Sequence, residues 1–240
     1  MPQDLDLKGL RVAVTGGTSG LGLALVRLMS RRGARIALIA RSKASVEHVA
    51  EEIGACGIVG DVSRKRAIHP IALEIVWNLG GLDALINNAS SLGPTPLSLL
   101  ADTDCEQLEE ALSVNLVGPF RLTKALFGAL TASAREGRGA VVVNISSDAA
   151  VNPYPGWGAY GASKAALRQM TAIWAEEAKA EGVRFLSLDP GDMDTPLHAL
   201  AVPDADLATL KRPEDAAGEI VTSLVGALPR VASLASTPRP

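Results

Sequence analysis

The sequence predicts an α/β protein: one domain built on a doubly wound parallel sheet of six to seven strands, with helices on both faces. Three observations lead there. Short apolar runs alternate with segments of helical periodicity along the whole chain, the order that parallel strands joined by crossover helices impose. The first apolar run opens directly into a glycine-rich turn and an amphipathic helix. The chain of 240 residues is 48% hydrophobic yet only 3% aromatic, so its core must be built from small aliphatic side chains packed closely between helices and sheet.

In chain order, residues 10–15 read as the first strand. Residues 21–32 follow as a helix in which Leu21, Leu25, Leu28 and Met29 share a face. The second strand is 35–40, the second helix 44–53, the third strand 57–60, the next helix 64–79 and the fourth strand 82–87. Residues 105–130 carry a long helical pattern interrupted at Gly118-Pro119. The β-branched run 140–145 is the fifth strand, 160–180 a strong helix, 184–188 the sixth strand and 216–227 the last helix. Residues 231–234 are a weak seventh, edge strand. The domain spans 1–235, and the tail 236–240, rich in Ser, Thr and Pro, is expected to be disordered. Prolines cluster at 94–96, 153–155 and 196–213. Those stretches read as loops that follow strands, where sheets of this kind bind ligands.

Charge narrows the function. Lys and Arg number 23 against 26 Asp and Glu, a net −3, and the two signs are interspersed. No basic patch or block points to nucleic acid. No apolar stretch approaches the ~20 residues of a membrane span. Residues 1–9 contain Asp4 and Asp6 rather than the apolar core of a secretory signal. A cytoplasmic location is therefore expected, with no membrane partner. Cys56 and Cys105 are isolated and read as reduced thiols. His48, His69 and His198 lack ligand spacing, so no metal is expected.

The turn Thr15-Gly16-Gly17-Thr18-Ser19-Gly20-Leu21-Gly22 joins the first strand to the first helix. Missing side chains let a pyrophosphate approach the backbone, and the helix N-terminus offers free N–H groups and the positive end of a dipole. Glycines also serve plain tight turns. The position of this turn between a strand and an amphipathic helix is what favours dinucleotide binding.

With that turn the chain begins to resemble the short-chain dehydrogenase/reductases, and further stations follow in family order. Asp61-Val62 resembles the pair that contacts adenine. Asn87-Asn88-Ala89-Ser90 resembles the family's Asn-Asn-Ala-Gly, with Ser90 in place of the last glycine. Asn115 matches the mid-helix Asn. Ser147, thirteen residues before Tyr160, matches the catalytic Ser, and Tyr160-Gly161-Ala162-Ser163-Lys164 matches Tyr-x-x-x-Lys. Pro190-Gly191 and Thr195 match the segment that holds the nicotinamide. The resemblance covers about residues 8–200. It implies a Rossmann-type fold and hydride exchange between a nicotinamide cofactor and a carbonyl or alcohol. It also implies that Asn88 and Ala89 border the cofactor, and that the protein is a homodimer or homotetramer built on the helices at 105–130 and 160–180.

The chemistry of that set can be read independently. Reducing a carbonyl needs a proton at oxygen, and the reverse reaction needs a base. A free phenol titrates near ~10, and a nearby cation lowers that value. Tyr160 and Lys164 are four apart, hence on one face of a helix, so Lys164 is expected to bring the phenol down. Ser147 can hold the substrate oxygen by a hydrogen bond. By resemblance, Lys164 also bonds the cofactor ribose and Asn115 steadies a water in a proton relay. Each residue alone has a plain structural reading: an exposed helix face, a strand end, a buried amide.

The cofactor is expected to be NADP(H), with NAD(H) possible. NAD-preferring sheets carry an acid at the end of the second strand, whereas this one ends Ile39-Ala40-Arg41-Ser42. A guanidinium fork at Arg41 suits a 2′-phosphate, and Ser42 adds a hydroxyl. Residues 192–211, with Met193, Leu197, Leu200, Val202 and Leu207, together with Tyr154 and Trp157, read as the substrate side. A mainly apolar pocket there fits a small apolar or alicyclic ketone. Two rivals remain: a nucleotide-sugar epimerase, whose glycine spacing would need glycine where Ser19 stands, and a non-catalytic NADP-binding sensor or scaffold, in which Tyr160 or Lys164 would be dispensable.

Overall fold

The fold is described from a computed structural model covering residues 6–229. The weak strand at 231–234 and the tail at 236–240 lie outside the described residues. Six strands, β1 (Arg11–Thr15), β2 (Arg35–Ala40), β3 (Cys56–Val59), β4 (Ala84–Asn87), β5 (Ala140–Ile145) and β6 (Val183–Leu188), form one sheet. Their order is β3-β2-β1-β4-β5-β6, and every pairing is parallel. The chain winds outward from β1 to β3, crosses over, and winds the other way from β4 to β6.

Burial explains why the strands read as continuous apolar runs. Val12 and Val14 of β1, with Val141, Val143 and Ile145 of β5, enter one core. Their alternates Ala13 and Val142 enter a second core on the opposite face. Successive side chains point to opposite faces, so a sheet covered on both sides leaves no polar face. One core is closed by α1 (Gly20–Arg31), α2 (Lys43–Ile53) and α8 (Pro213–Ala227). The other is closed by α3 (Ile68–Leu79), α5 (Gly118–Arg135) and α6 (Gly158–Glu177).

At the N-terminal edge of the sheet an ionic cluster ties distant segments together. The fully buried Asp83 carboxylate accepts from Arg11 at 2.6 Å and from Arg138 at 2.9 Å. Burial opposes its charge, but these bonds and one from Ser133 outweigh that and hold its pKa at about 2.

Two segments depart from the expectation. The stretch at 105–130 is α4 (Cys105–Leu112), a π turn (Ser113–Val117) and α5. The irregularity thus precedes Gly118-Pro119. Pro119 has no N–H for the carbonyl of Asn115 four residues earlier, and the Gly118 N–H reaches back to Ser113, so the ladder widens. The stretch at 196–213 is not simply loop. It contains α7 (Pro196–Ala201), where Thr195 Oγ1 accepts the His198 N–H at 3.2 Å. A proline just inside a helix start, after a capping threonine, begins a helix rather than breaking one. Pro213 opens α8 in the same way. Among the described residues no helix is long and apolar enough to cross a membrane.

Candidate active site

A cleft of about 970 Å³ opens at the C-terminal ends of β1 and β4, where the winding direction reverses. Open parallel sheets bind ligands at this switch point because the loops on either side turn away from each other. The glycine turn forms one wall. Ser19 is the N-cap of α1 but makes no side-chain capping bond, and the first turn carries no acid. The polarised N–H groups there are uncapped and face the cleft through Thr18, Ser19, Gly20 and Leu21, an arrangement that fits a pyrophosphate.

The turn is locked from behind. Thr15 Oγ1 accepts the N–H groups of Asn88 and Ala89, each at 3.0 Å. Asn88 Nδ2 donates to the Thr15 carbonyl at 3.0 Å. Gly16 has φ +69°, and a Cβ at Gly22 would overlap the Gly16 carbonyl. Two of the expected cofactor residues stand behind the turn. Thr15 and Gly22 do not line the cleft; they shape the turn that does. Gly16, Asn88 and Ala89 both support the turn and border the cleft.

At the far end of the cleft, Arg41 is exposed and makes no hydrogen bond among the described residues. Ser42 caps α2, accepting the Ser45 N–H at 3.3 Å. Asp61 lies opposite. Burial opposes its charge, but hydrogen bonds from Ser63, with Arg41 and Arg64 nearby, hold its carboxyl below the ordinary range. Val62 packs beside it.

The reacting end is built by α6 against the end of β5. Lys164 is 2% exposed, and its Nζ donates to the Ile145 carbonyl at 2.7 Å. That is its one protein hydrogen bond among the described residues, so a buried ammonium keeps two donors. It stands 5.4 Å from the centre of the Tyr160 ring. Burial lowers its pKa to about 8, with Asp189 opposing. The uncapped helix start and these spare buried donors together fit a dinucleotide.

Tyr160 differs from the expectation. Burial pushes its phenol up to about 12, outweighing the nearby Ser147 and Ser90 hydroxyls, which act to lower it. Desolvation penalises phenolate and ammonium alike, so Lys164 does not lower the phenol in the protein alone. Ser147 caps the turn Asp148–Ala150; its Oγ accepts the Ala149 N–H and donates to Asp148 Oδ1, both at 3.2 Å.

Asn115 stands apart from the cleft. It is 1% exposed and does not line the cleft. Its amide donates to the Ser91 carbonyl at 2.7 Å and to Ser163 Oγ at 2.8 Å. Its oxygen accepts from Ser90 Oγ at 3.1 Å and from the Ser91 N–H at 2.8 Å. All four hydrogen-bonding positions of the side chain are thus filled.

The family model described as short chain dehydrogenase matches residues 11–206. The chain belongs to this family. As a short-chain dehydrogenase it is an oxidoreductase of the Rossmann-like class. It is 31% identical over 215 residues to 3beta-hydroxysteroid dehydrogenase 1 of Eggerthella lenta, covering 85% of this chain and 79% of that one. It is 31% identical over 227 residues to an uncharacterized oxidoreductase of Mycobacterium bovis, covering 91% of this chain and 65% of that one. Among solved structures, the 3-ketoacyl-(acyl-carrier-protein) reductase of Brucella melitensis complexed with NADH superposes with a TM-score of 0.85 at 25% identity, over 95% of this chain and 94% of that chain. A short-chain dehydrogenase from Shigella flexneri complexed with NADP superposes with a TM-score of 0.78 at 28% identity, over 88% and 89%.

In this short-chain dehydrogenase the segment Pro190-Gly191, Thr195 and the apolar residues of α7 close the cleft over Tyr160. Leu92, Trp157 and Leu197 pack around the phenol, with the Trp157 ring edge-on at 5.6 Å. Tyr154, Met193, Leu200 and Val202 border the cleft as expected; Leu207 does not, and is 63% exposed. Sequence reasoning missed Asp148, whose carboxylate accepts the Tyr154 hydroxyl at 2.7 Å, and nothing in the linear pattern marks it. It treated Ser90 only as a lost glycine.

Proposed function

We propose that this short-chain dehydrogenase is an NADP(H)-preferring enzyme that interconverts a carbonyl and an alcohol, with Tyr160 as the proton donor and acceptor. The observation that carries this reading is the meeting of a buried phenol and a buried ammonium, with two donors to spare, in the same cleft as an uncapped helix start. The nicotinamide, when bound, supplies or takes the hydride, and in its oxidised form adds a positive charge beside the phenol. Lys164 holds the ribose and keeps a charge close to Tyr160. Ser147 donates to the substrate oxygen and holds it in line with the phenol. Tyr160 passes its proton to that oxygen in reduction and takes it back in oxidation. Positioned groups of this kind contribute about 10²–10⁴-fold in rate. The Asn115 backbone carbonyl steadies a water behind Lys164.

Arg41 supports the choice of NADP(H). Among the described residues it is an unpaired guanidinium at one end of the cleft, with no carboxylate at the end of β2 to claim a 2′-hydroxyl. The apolar collar of Leu92, Trp157, Leu197 and Leu200 fits an alicyclic or small apolar substrate, a reading in keeping with the hydroxysteroid relative. The outer face of α6 presents exposed Ala165, Ala172 and Ile173, small and apolar enough for close packing against a second copy in a homodimer or homotetramer.

A turnover screen over cyclic and open-chain ketones and their alcohols, with each cofactor, tests the proposal. Reduction of alicyclic ketones with NADPH ahead of NADH is expected. Tight cofactor binding with no turnover across the panel would instead favour a sensor or scaffold.

A further inference from the structure

Four carboxylates line the cleft around its reacting end: Glu110, Asp148, Asp189 and Asp192. Three of them have partners. Glu110 accepts Ser91 Oγ at 3.3 Å. Asp148 accepts the Tyr154 hydroxyl on one oxygen and the Ser147 hydroxyl on the other. Asp192 stands 3.9 Å from His198 Nε2 and faces water, with its side chain 77% exposed. Asp189 is the fourth. One of its oxygens accepts the Gly191 N–H at 2.9 Å, which fixes the carboxylate in the turn after β6. Its other oxygen has no hydrogen-bond partner among the described residues.

The sheet brings Asp189 to the buried ammonium. Ile145 of β5 is in register with Leu188 of β6, and the Ser146 N–H carries the ladder one step further, to the Leu188 carbonyl at 2.8 Å. Asp189 therefore leaves the sheet level with Ser146, one residue beyond the Ile145 carbonyl that accepts Lys164 Nζ at 2.7 Å. Burial lowers the pKa of Lys164, and Asp189 opposes that. A carbonyl held between Ser147 and Tyr160 must meet the nicotinamide at this same end. The hydride carries two electrons to the carbonyl carbon, and the proton passes from Tyr160 to the oxygen. The ring thereby changes from neutral to cationic, beside an ammonium that is already buried. Like charges repel strongly where little water screens them, so Lys164 alone would weaken the binding of the oxidised form.

We propose that the Asp189 carboxylate offsets this repulsion and sets the preference of the cleft for the oxidised over the reduced cofactor. This deepens the function proposed above and rests on a nicotinamide dinucleotide binding in this cleft, but its test does not require turnover. Tighter binding of the oxidised form draws the bound pair toward releasing its hydride, which favours carbonyl reduction. Dissociation constants for NADP+, NADPH and 2′-phospho-ADP-ribose, which lacks the nicotinamide, are measured by calorimetric titration of the wild-type chain, Asp189→Asn and Asp189→Ser. NAD+ and NADH are titrated alongside, so that the ratio can be read with either cofactor pair. Both variants keep an acceptor for the Gly191 N–H and remove the charge.

Asp189→Asn is expected to raise the ratio of the NADP+ constant to the NADPH constant by about fivefold, the size of one partly exposed charge pair, and to leave the affinity for 2′-phospho-ADP-ribose within about twofold. Asp189→Ser moves the ratio in the same direction. An unchanged ratio in folded Asp189→Asn overturns the proposal, as does an unchanged ratio in Asp189→Ser should the asparagine variant not fold. A merely structural Asp189 would weaken all three ligands alike and leave the ratio where it was. Failure of the dinucleotide reading would show separately, as a wild-type chain that binds none of these nucleotides, and it would take this inference with it.

Discussion

Replacing Lys164 by methionine should remove turnover and at the same time stabilise the cofactor-free protein at neutral pH. Lys164 is buried, and its pKa falls from 10.5 to about 8. A lowering of between two and three pH units makes the buried ammonium roughly 3 kcal/mol unfavourable to folding below pH 8. Methionine removes that cost and fills a similar volume, but leaves the Ile145 carbonyl without its 2.7 Å donor, a loss of about 1–3 kcal/mol. The net expectation is a variant at least as stable as wild type at pH 7, and up to about 2 kcal/mol more stable. That corresponds to a melting temperature higher by roughly 2–4 °C per kcal/mol.

The sign of the pH dependence is fixed. A lysine with a depressed folded-state pKa is more protonated in the unfolded chain between about 8 and 10.5, so wild-type stability rises with pH through that window. The advantage of Lys164→Met therefore fades there, and the two stability curves cross. Urea unfolding of both proteins from pH 7 to pH 10.5 measures this directly. A methionine variant less stable than wild type at pH 7, by an amount that stays constant up to pH 10.5, would refute the reasoning.

Two further perturbations follow from the structure. Arg41→Ala should raise the dissociation constant for NADPH by about tenfold or more while changing that for NADH by less than about threefold, because only the 2′-phosphate needs the guanidinium; equal effects on both, in fluorescence titrations, would remove Arg41 from the site. Asp83→Asn should flatten the acid limb of stability: a carboxylate held at about 2 instead of 3.8 contributes stability that is present above pH 3.8 and lost as pH falls toward 2, worth roughly 2 kcal/mol, so acid unfolding of wild type and variant that runs in parallel would contradict the role given to the Arg11–Asp83–Arg138 cluster.

Much of the frame was legible because local pattern and tertiary placement agree. β2 and β5 fall on residues 35–40 and 140–145 as the apolar runs foretold. The glycine turn, Tyr160 and Lys164 sit where a strand–turn–helix unit and a one-turn helical spacing put them. Misreadings arose where one residue type has two physical uses. Proline enrichment across 196–213 reads as loop, yet Pro196 and Pro213 each start a helix. Gly118-Pro119 reads as the interruption, yet the missing N–H of Pro119 acts backward, on the turn at Asn115.

Within the site, spacing placed side chains but could not say which way they face. Thr15 and Gly22, matched to the cofactor turn, and Asn115, matched to a water-holding Asn, all stand behind the wall of the cleft. The phenol of Tyr160 was expected to be lowered and is raised, because desolvation depends on everything packed around Trp157 and Leu92, which no local motif encodes.

The account depends most on the Tyr160 hydroxyl as the group that moves the proton. Turnover and NADPH binding in Tyr160→Phe, measured side by side with a ketone the wild-type chain reduces, test it directly. The predicted result is NADPH affinity within about threefold of wild type with turnover reduced by a factor of about 10²–10⁴. Undiminished turnover in a folded, cofactor-binding Tyr160→Phe would contradict it.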